Sequence, residues 1–362
     1  MNQPANRPSA SWVGGLLLPL ALALAAQAQW TTPPVTAPGL EYRTFWSASA
    51  QATVSFHVFL PPEYTANPIE SFPTIYWLHG SGSPTAGIPQ VRSWFASAMD
   101  QGLIPPMIVV FPNGIGSSMW TNSKDGQVPM ESVVIDDLIP HVDNAFRTVA
   151  SRRGRILEGF SMGGHGGRLA LRRPDLFAAV SMLGAGPLQL DFMNAPDGTN
   201  VPPRTRAELY ELVWSSDPAY YLAQHPWTIA TQRAEAHIAL CTKVRIGVGA
   251  IDAMYQPNQE FHQHLLALQI PHQFVEVAGV GHSPLLTLQG LGPDTWNFYL
   301  EALATPCRDA ADVDCSGVVD ALDLAVVLAG WGPESGAADV NGSGAVDGGD
   351  LARVLSAWGP VP

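Results

Sequence analysis

Between Gln29 and about Ala304, short β-rich runs alternate with longer stretches of helical periodicity, and this alternation limits the possible folds more than any other feature of the chain. Val54–Leu60, Thr74–Leu78, Met107–Phe111, Arg155–Gly159, Ala179–Leu183, Val244–Val248 and His272–Val277 read as strands. From Thr74 onward these runs are short, continuous and apolar, as expected of strands buried on both faces. Between them, Val91–Gln101, Glu131–Phe146, Gly163–Arg173, Arg206–Trp214, Asn258–Leu268 and Thr295–Leu303 read as helices. Such alternation predicts an α/β class with a mainly parallel sheet and helices on both sides. Reactive groups are then expected on loops beyond the carboxyl ends of the strands.

One of those loops carries Gly159-Phe160-Ser161-Met162-Gly163, a G-x-S-x-G motif set between a predicted strand and a predicted helix. In that context the motif presents a nucleophilic serine on a sharp turn. Gly163, Gly164, Gly166 and Gly167 suit a close approach of strand and helix, since so many glycines otherwise weaken a helix. A serine nucleophile needs a base and the base an orienting acid, expected here in the chain order Ser, Asp or Glu, His. Asp252 follows Val244–Val248 after three residues, and His282 follows His272–Val277 after four. Ser161, Asp252 and His282 are therefore the expected catalytic residues.

The alternatives fit less well. Asp217 precedes Pro218 and reads as a helix N-cap, while Asp191 and Asp197 have no strand immediately before them. His262 and His264 fall within a helix, His272 opens a strand, and His165 lies four residues past the nucleophile. The oxyanion hole calls for two backbone N–H groups. One is expected from Met162 and the other from the loop His79-Gly80-Ser81-Gly82, with Ser81 favoured and Gly80 the alternative. The His79 side chain is expected to pack at the strand end. Trp120, in the long loop Pro112–Met130, reads as a substrate-binding aromatic or as loop packing.

A different pattern starts near Asp309. Asp312-Val-Asp314-Cys-Ser316-Gly317-Val-Val-Asp320-Ala-Leu-Asp323 repeats 27 residues later as Asp339-Val-Asn341-Gly-Ser343-Gly344-Ala-Val-Asp347-Gly-Gly-Asp350, and Trp331-Gly332-Pro333 repeats as Trp358-Gly359-Pro360. Each copy sets side-chain oxygens at loop positions 1, 3, 5, 9 and 12, with glycine at position 6, which is the plan of a calcium loop. The expected ligands are Asp312, Asp314, Ser316, Asp320 and Asp323, then Asp339, Asn341, Ser343, Asp347 and Asp350, with carbonyls from Val318 and Ala345. Two calcium ions in a structural role are expected, and no cofactor for catalysis.

Charge agrees with this division. The chain of 362 residues has a formal net charge of −13 although only 14% of it is charged. From Cys307 onward, eight Asp and one Glu against two Arg give −7, and the first 306 residues account for −6. Few basic residues argue against nucleic acid as a partner. The expected units are a signal peptide over 1–28, a catalytic domain over 29–304, a linker over 305–311 and a calcium module over 312–362. Arg7, the apolar run Val13–Ala26 and Ala26-Gln27-Ala28 form the signal peptide, implying a secreted protein, extracellular or periplasmic. No membrane span is expected in the mature chain. Cys241, Cys307 and Cys315 allow one disulfide and one leftover thiol, with Cys307 pairing to Cys241 or to Cys315.

Taken together, Trp77-Leu78-His79-Gly80, Val134-Ile135-Asp136-Asp137-Leu138-Ile139-Pro140, Gly159–Gly164, Gly249–Asp252 and Gly279–His282 resemble the esterase family of α/β-hydrolases. That family includes feruloyl esterases, acetyl xylan esterases, S-formylglutathione hydrolases and the antigen 85 acyltransferases. The resemblance spans residues 40–304 and implies an α/β-hydrolase fold and a metal-independent serine esterase, with the triad on Ser161, Asp252 and His282. Residues 309–359 resemble a type I dockerin, a small α-helical calcium-binding domain, although Ser replaces the commoner Asp or Asn at position 5. This second resemblance implies a cohesin-like or cell-surface partner and a polysaccharide ester, feruloyl or acetyl, as substrate. An acyltransferase using the same triad and a non-catalytic scaffold on a hydrolase fold are the alternative expectations.

Overall fold

The computed structural model describes residues 29–193, 204–292, 294–304, 309–314, 316–333 and 338–361. The expected signal peptide over 1–28, Asp197, Cys307, Cys315 and positions 305–308 of the linker lie outside the described residues.

Eight strands form one sheet: β1 (Leu40–Ser47), β2 (Ala52–Phe59), β3 (Thr74–Leu78), β4 (Ile108–Pro112), β5 (Arg155–Phe160), β6 (Ala179–Leu183), β7 (Lys243–Gly249) and β8 (His272–Val277). Their order across the sheet is β1-β2-β4-β3-β5-β6-β7-β8. β1 pairs antiparallel with β2 and β2 with β4, and every pairing from β4 to β8 is parallel. Alternation along each central strand divides the core in two. Tyr76 and Leu78 of β3 pack in one layer, while Ile75 and Trp77 pack in the other.

The expected strands are all present, and β1 is an addition. Its sequence LEYRTFWS sits half-exposed at the sheet edge, so it lacks the continuous apolar character that marks the central strands. β8 corrects the expectation of a strand buried on both faces: it is the opposite edge, and of its residues only Val277 is buried. Four helices lie outside the expected set, and only the second, through its Asp217 cap, had a legible start: Pro62–Ala66, Pro218–Gln224, Pro226–Ala239 and Pro284–Gly290. Each begins on a proline, which reads as a loop residue but suits the first helical position because the N–H it lacks has no partner there. Asp217 caps the second of them, accepting from the N–H groups of Ala219 and Tyr220, as its sequence context implies.

A buried ion pair ties the central strands together. Glu158 on β5 accepts from Arg245 Nη2 on β7 at 2.8 Å and from the Tyr299 hydroxyl at 2.7 Å. Arg245 also donates to Ser181 Oγ and the Thr295 carbonyl, and all three side chains are fully buried. Removing one member leaves a bare buried charge, which costs far more than the intact pair contributes.

The C-terminal module has its own core. Ala311, Val313, Val319 and Val327 share one cluster with Ala338, Val340, Val346 and Val354, their counterparts 27 positions along. Ala311, expected in the linker, thus belongs to the module. Helices Ala321–Ala329 and Gly348–Ser356 follow the two loops, and the halves are cross-tied. Val318–Val319 pairs with Gly359–Pro360, and Gly332 bridges to Val346. Among the described residues no helix is long and apolar enough to cross a membrane.

Glu158→Ala is expected to lower stability by about 3–5 kcal/mol, read by urea denaturation, whereas Glu158→Gln with Arg245→Met should recover most of that loss.

Candidate active site

The turn after β5 is held in a conformation that few residues adopt. Ser161 has φ 60° and ψ −117°, with its N–H bonded to the Leu183 carbonyl at 2.9 Å and its carbonyl accepting from His165 and Gly186. Such a backbone persists only where its surroundings determine it. Two glycines show how tightly: a Cβ on Gly163 would lie 1.9 Å from the Leu78 carbonyl oxygen, and one on Gly159 would lie 2.5 Å from that of Gly163. The helix expected over Gly163–Arg173 is accordingly two pieces, Met162–His165 and Arg168–Arg172. The chain turns at Gly166-Gly167, where Trp120 and Met182 crowd the backbone.

Parallel pairing of β3 with β5, with Leu78 opposite Gly159, sets the His79–Ser81 loop level with Ser161. β7 and β8 end together at Gly249 and Val277, and their following loops deliver Asp252 and His282. The three expected side chains meet there. His282 Nε2 lies 2.8 Å from Ser161 Oγ, and His282 Nδ1 lies 2.9 and 2.8 Å from the two carboxylate oxygens of Asp252. The Asp252 carboxylate is fully buried and also accepts the Met254 N–H at 2.8 Å, so its orientation is fixed. The imidazole is partly open to solvent and rests against the Phe160 ring.

Gly80 is the residue of the β3 loop that packs on the nucleophile: a Cβ there would lie 3.3 Å from Ser161 Cβ. Among the described residues, the N–H groups of Ser81 and Met162 bond to no protein acceptor. Ser81 lines a cavity of about 520 Å³ that opens on Ser161, His282 and Asp252. Its walls are largely apolar, from Trp77, Val91, Phe160, Pro187, Phe192 and Met254. Sequence reasoning missed Phe192 and Met254 as wall residues. Met254 stands two positions past Asp252, where a following side chain could have been suspected. Phe192 lies in an irregular segment after β6 that carries no periodic signal.

Trp120 does not reach this cavity. Its side chain is fully buried, and its indole N–H donates to the His79 carbonyl at 3.2 Å. The substrate-facing reading of Trp120 is therefore replaced by packing, and the cause is local. Met119 and Trp120 both have positive φ, which turns the indole inward against Gly114 and Gly166.

Of the other histidines, only His79 lines the cavity. His165 is buried with Nδ1–H donating to the Pro187 carbonyl, and burial together with the Arg168 charge lowers its pKa to about 3. His79 and His237 are each lowered to about 4, in both cases chiefly by burial. His262 and His272 bond to one another, and His264 stacks on Trp227. Cys241 exposes its thiol and hydrogen-bonds to the Ile238 carbonyl.

In the tail, the two loops repeat each other bond for bond. The Ser316 and Gly317 N–H groups donate to Asp312, as those of Ser343 and Gly344 do to Asp339. Asp323 accepts from the N–H groups of Asp314 and Asp320, as Asp350 does from Asn341 and Asp347. Oxygens of Asp312, Asp314 and Asp323 lie within 4.8 Å of one another. Burial and its two acidic neighbours push Asp312 up to about 6. Asp320 and Asp347 cap the helices that follow. Ser316 and Ser343 turn their hydroxyls toward the carbonyls of Val318 and Ala345.

The strand order, the strained serine turn and the Ser–His–Asp geometry are those of the α/β-hydrolase class. Residues 47–283 match the family described as Putative esterase, and the chain belongs to that family. An endo-1,4-β-xylanase/feruloyl esterase of Xylanibacter ruminicola is 35% identical over 153 residues, which are 40% of this chain and 21% of that protein. An esterase of Mycobacterium tuberculosis is 30% identical over 161 residues, 43% of this chain and 34% of that protein. The chain thus spans about a fifth to a third of the length of these curated relatives. Among solved structures, an S-formylglutathione hydrolase from Agrobacterium tumefaciens shares the fold at a TM-score of 0.57 and 17% identity, over 75% of this chain and 97% of that one.

The buried histidines set an acid limit. Each has its ordinary pKa near 6.5 in the unfolded chain and a lowered one when folded. Below about pH 6.5 the unfolded chain therefore binds protons that the folded protein refuses. Stability should be full above that pH and fall by roughly 1.4 kcal/mol per pH unit for each such group down to about pH 4. Thermal melts between pH 7.5 and 4.5 check this, and His237→Gln should make the decline shallower.

Proposed function

We propose that this protein is a secreted carboxylic-ester hydrolase that works through an acyl-enzyme on Ser161. The observation that carries the reading is the 2.8 Å contact between Ser161 Oγ and His282 Nε2, with Asp252 fixing the opposite ring nitrogen. Asp252 holds the imidazole with its proton on Nδ1, leaving Nε2 free to take one. Ser161 Oγ attacks the ester carbonyl carbon while His282 Nε2 accepts the hydroxyl proton. The oxyanion so formed is received by the N–H groups of Ser81 and Met162. Collapse breaks the bond to the alcohol oxygen, which leaves with the proton from His282. Water then attacks the acyl-enzyme, giving its proton to His282, and Ser161 is released with the carboxylic acid as product.

The apolar cavity and the feruloyl esterase named among the relatives support an aromatic acyl group such as feruloyl, attached to a polysaccharide. Acetyl esters are the smaller alternative. Secretion is supported by the sequence of residues 1–28 alone.

For the tail we propose a dockerin-like module holding two calcium ions. The donor set is all oxygen, and three carboxylates of the first loop converge where a cation would offset their repulsion, so the residues fit the ion. Asp312, Asp314, Ser316, Asp323 and the Val318 carbonyl would hold one ion, with Asp320 acting through water. Asp339, Asn341, Ser343, Asp350 and the Ala345 carbonyl, with Asp347, would hold the other. Leu328 and Leu355, with Trp331 and Trp358, repeat at 27 residues and are exposed. They support a cohesin-like protein as partner.

Ser161→Ala should abolish hydrolysis of p-nitrophenyl acetate and of methyl ferulate and should remove fluorophosphonate labelling. Turnover that persisted in this variant would defeat the assignment. Calcium at millimolar concentration should raise the melting temperature of the tail in the full chain and quench or shift Trp331 and Trp358 fluorescence. Asp323→Ala with Asp350→Ala should cancel both responses.

A further inference from the structure

We propose that His79, held in one tautomer by Gly80 and Gly114 and packed against Trp120, is a positioning residue that aims the Ser81 N–H into the oxyanion hole. The proposal rests on the esterase reading of Ser161, and it concerns a side chain that the acyl-transfer steps themselves do not use.

His79 follows the last residue of β3 and is buried. Its Nδ1 lies 2.7 Å from the Gly80 carbonyl oxygen, and its Nε2 lies 3.0 Å from the Gly114 backbone nitrogen. A carbonyl only accepts and a backbone N–H only donates, so Nδ1 carries the proton and Nε2 is bare. The imidazole is thus neutral, with both nitrogens in use.

The bond to Gly80 fixes the orientation of a peptide plane. In a trans peptide the C=O of one residue and the N–H of the next point in opposite directions. With the Gly80 carbonyl drawn toward the His79 ring, the Ser81 N–H faces the other way, and Ser81 lines the cavity over Ser161. The far side of Ser81 is anchored as well, because the Gly82 N–H donates to the Gly116 carbonyl at 2.9 Å. The unpaired donor at Ser81 is therefore held between two fixed points.

Trp120 holds the ring that holds the peptide. Its Nε1–H donates to the His79 carbonyl, and its rings meet the imidazole edge-on at 5.0 Å. Trp120 itself has no freedom to shift. A Cβ on Gly114 would lie 2.3 Å from its six-membered ring, and one on Gly166 would lie 2.8 Å from its five-membered ring. Its N–H bonds to Ser118 Oγ, and its carbonyl accepts from the buried Arg168. An oxyanion donor acts through placement before the charge develops, so a chain of fixed contacts behind it contributes directly to the transition state.

His79→Asn and His79→Gln separate this role from packing. The Asn amide N–H sits where Nδ1 was and keeps the bond to Gly80, whereas the Gln amide reaches the Nε2 position and loses it. His79→Gln should lower kcat for p-nitrophenyl acetate about a hundredfold, with KM within threefold and matching loss of affinity for a phenylboronic acid. His79→Asn should retain kcat within about tenfold. Trp120→Phe removes the N–H together with part of the buried ring system, and should lower kcat about tenfold with KM unchanged, beside the drop in melting temperature that a core cavity brings. Equal losses in the Asn and Gln variants, a loss confined to KM, or full kcat in the Gln and Phe variants would overturn the proposal. Fluorophosphonate labelling of the wild type is the control: no labelling there defeats the esterase reading itself.

Discussion

Among the described glycines, Gly163 leaves the least room for a side chain, since a Cβ there would lie 1.9 Å from the Leu78 carbonyl oxygen, and the site is built around that contact. No side chain fits at that contact, so the first turn of the nucleophile helix lies directly on the end of β3. This contact forces Ser161 into its strained backbone and brings the β3 loop over the serine. It also aligns the helix N-terminus with the place where negative charge develops. Pairing of Leu78 with Gly159 then fixes the height of both loops. Asp252 and His282 reach the same height because β7 and β8, two and three strands from β5, end in register. The chemistry depends on a backbone distance before it depends on any side chain.

Much of this was legible in the sequence where one signal acts alone. Continuous apolar runs marked β3 to β7, and the spacing from strand end to Asp252 and to His282 placed both residues. What stayed hidden needed two signals to be weighed together. Prolines at 62, 226 and 284 start helices, yet a proline by itself also marks a loop. The alternating polar character of β1 suits an antiparallel edge, and it resembles an exposed loop until β2 is known to lie beside it. Trp120 sits in a long loop after a strand, where a substrate contact is a natural expectation. Only the glycines at 114 and 166, distant in sequence, show that room was left for it inside.

The tail follows a simpler logic, since one pattern was used twice. The 27-residue offset between the two acidic loops also relates its four core residues and its helix caps. Neither half has enough apolar surface to enclose a core alone, and the bridge of Gly332 to Val346 shows each loop leaning on the chain that follows the other helix. The negative charge of the chain accordingly collects there, and the esterase domain is left only mildly acidic.

The triad itself is unequal in stiffness. Ser161 is locked by backbone bonds, and Asp252 is buried with its carboxylate bonded to Met254. β5 and β7, which carry those two, are joined across β6 by Glu158 and Arg245. His282 alone extends from an edge strand with its ring partly in solvent. Two of the three side chains are thus enclosed, and the third stands at the solvent boundary, held by its bonds to the other two. In the acyl transfer proposed above, the group that takes and returns the proton is the one set nearest to solvent.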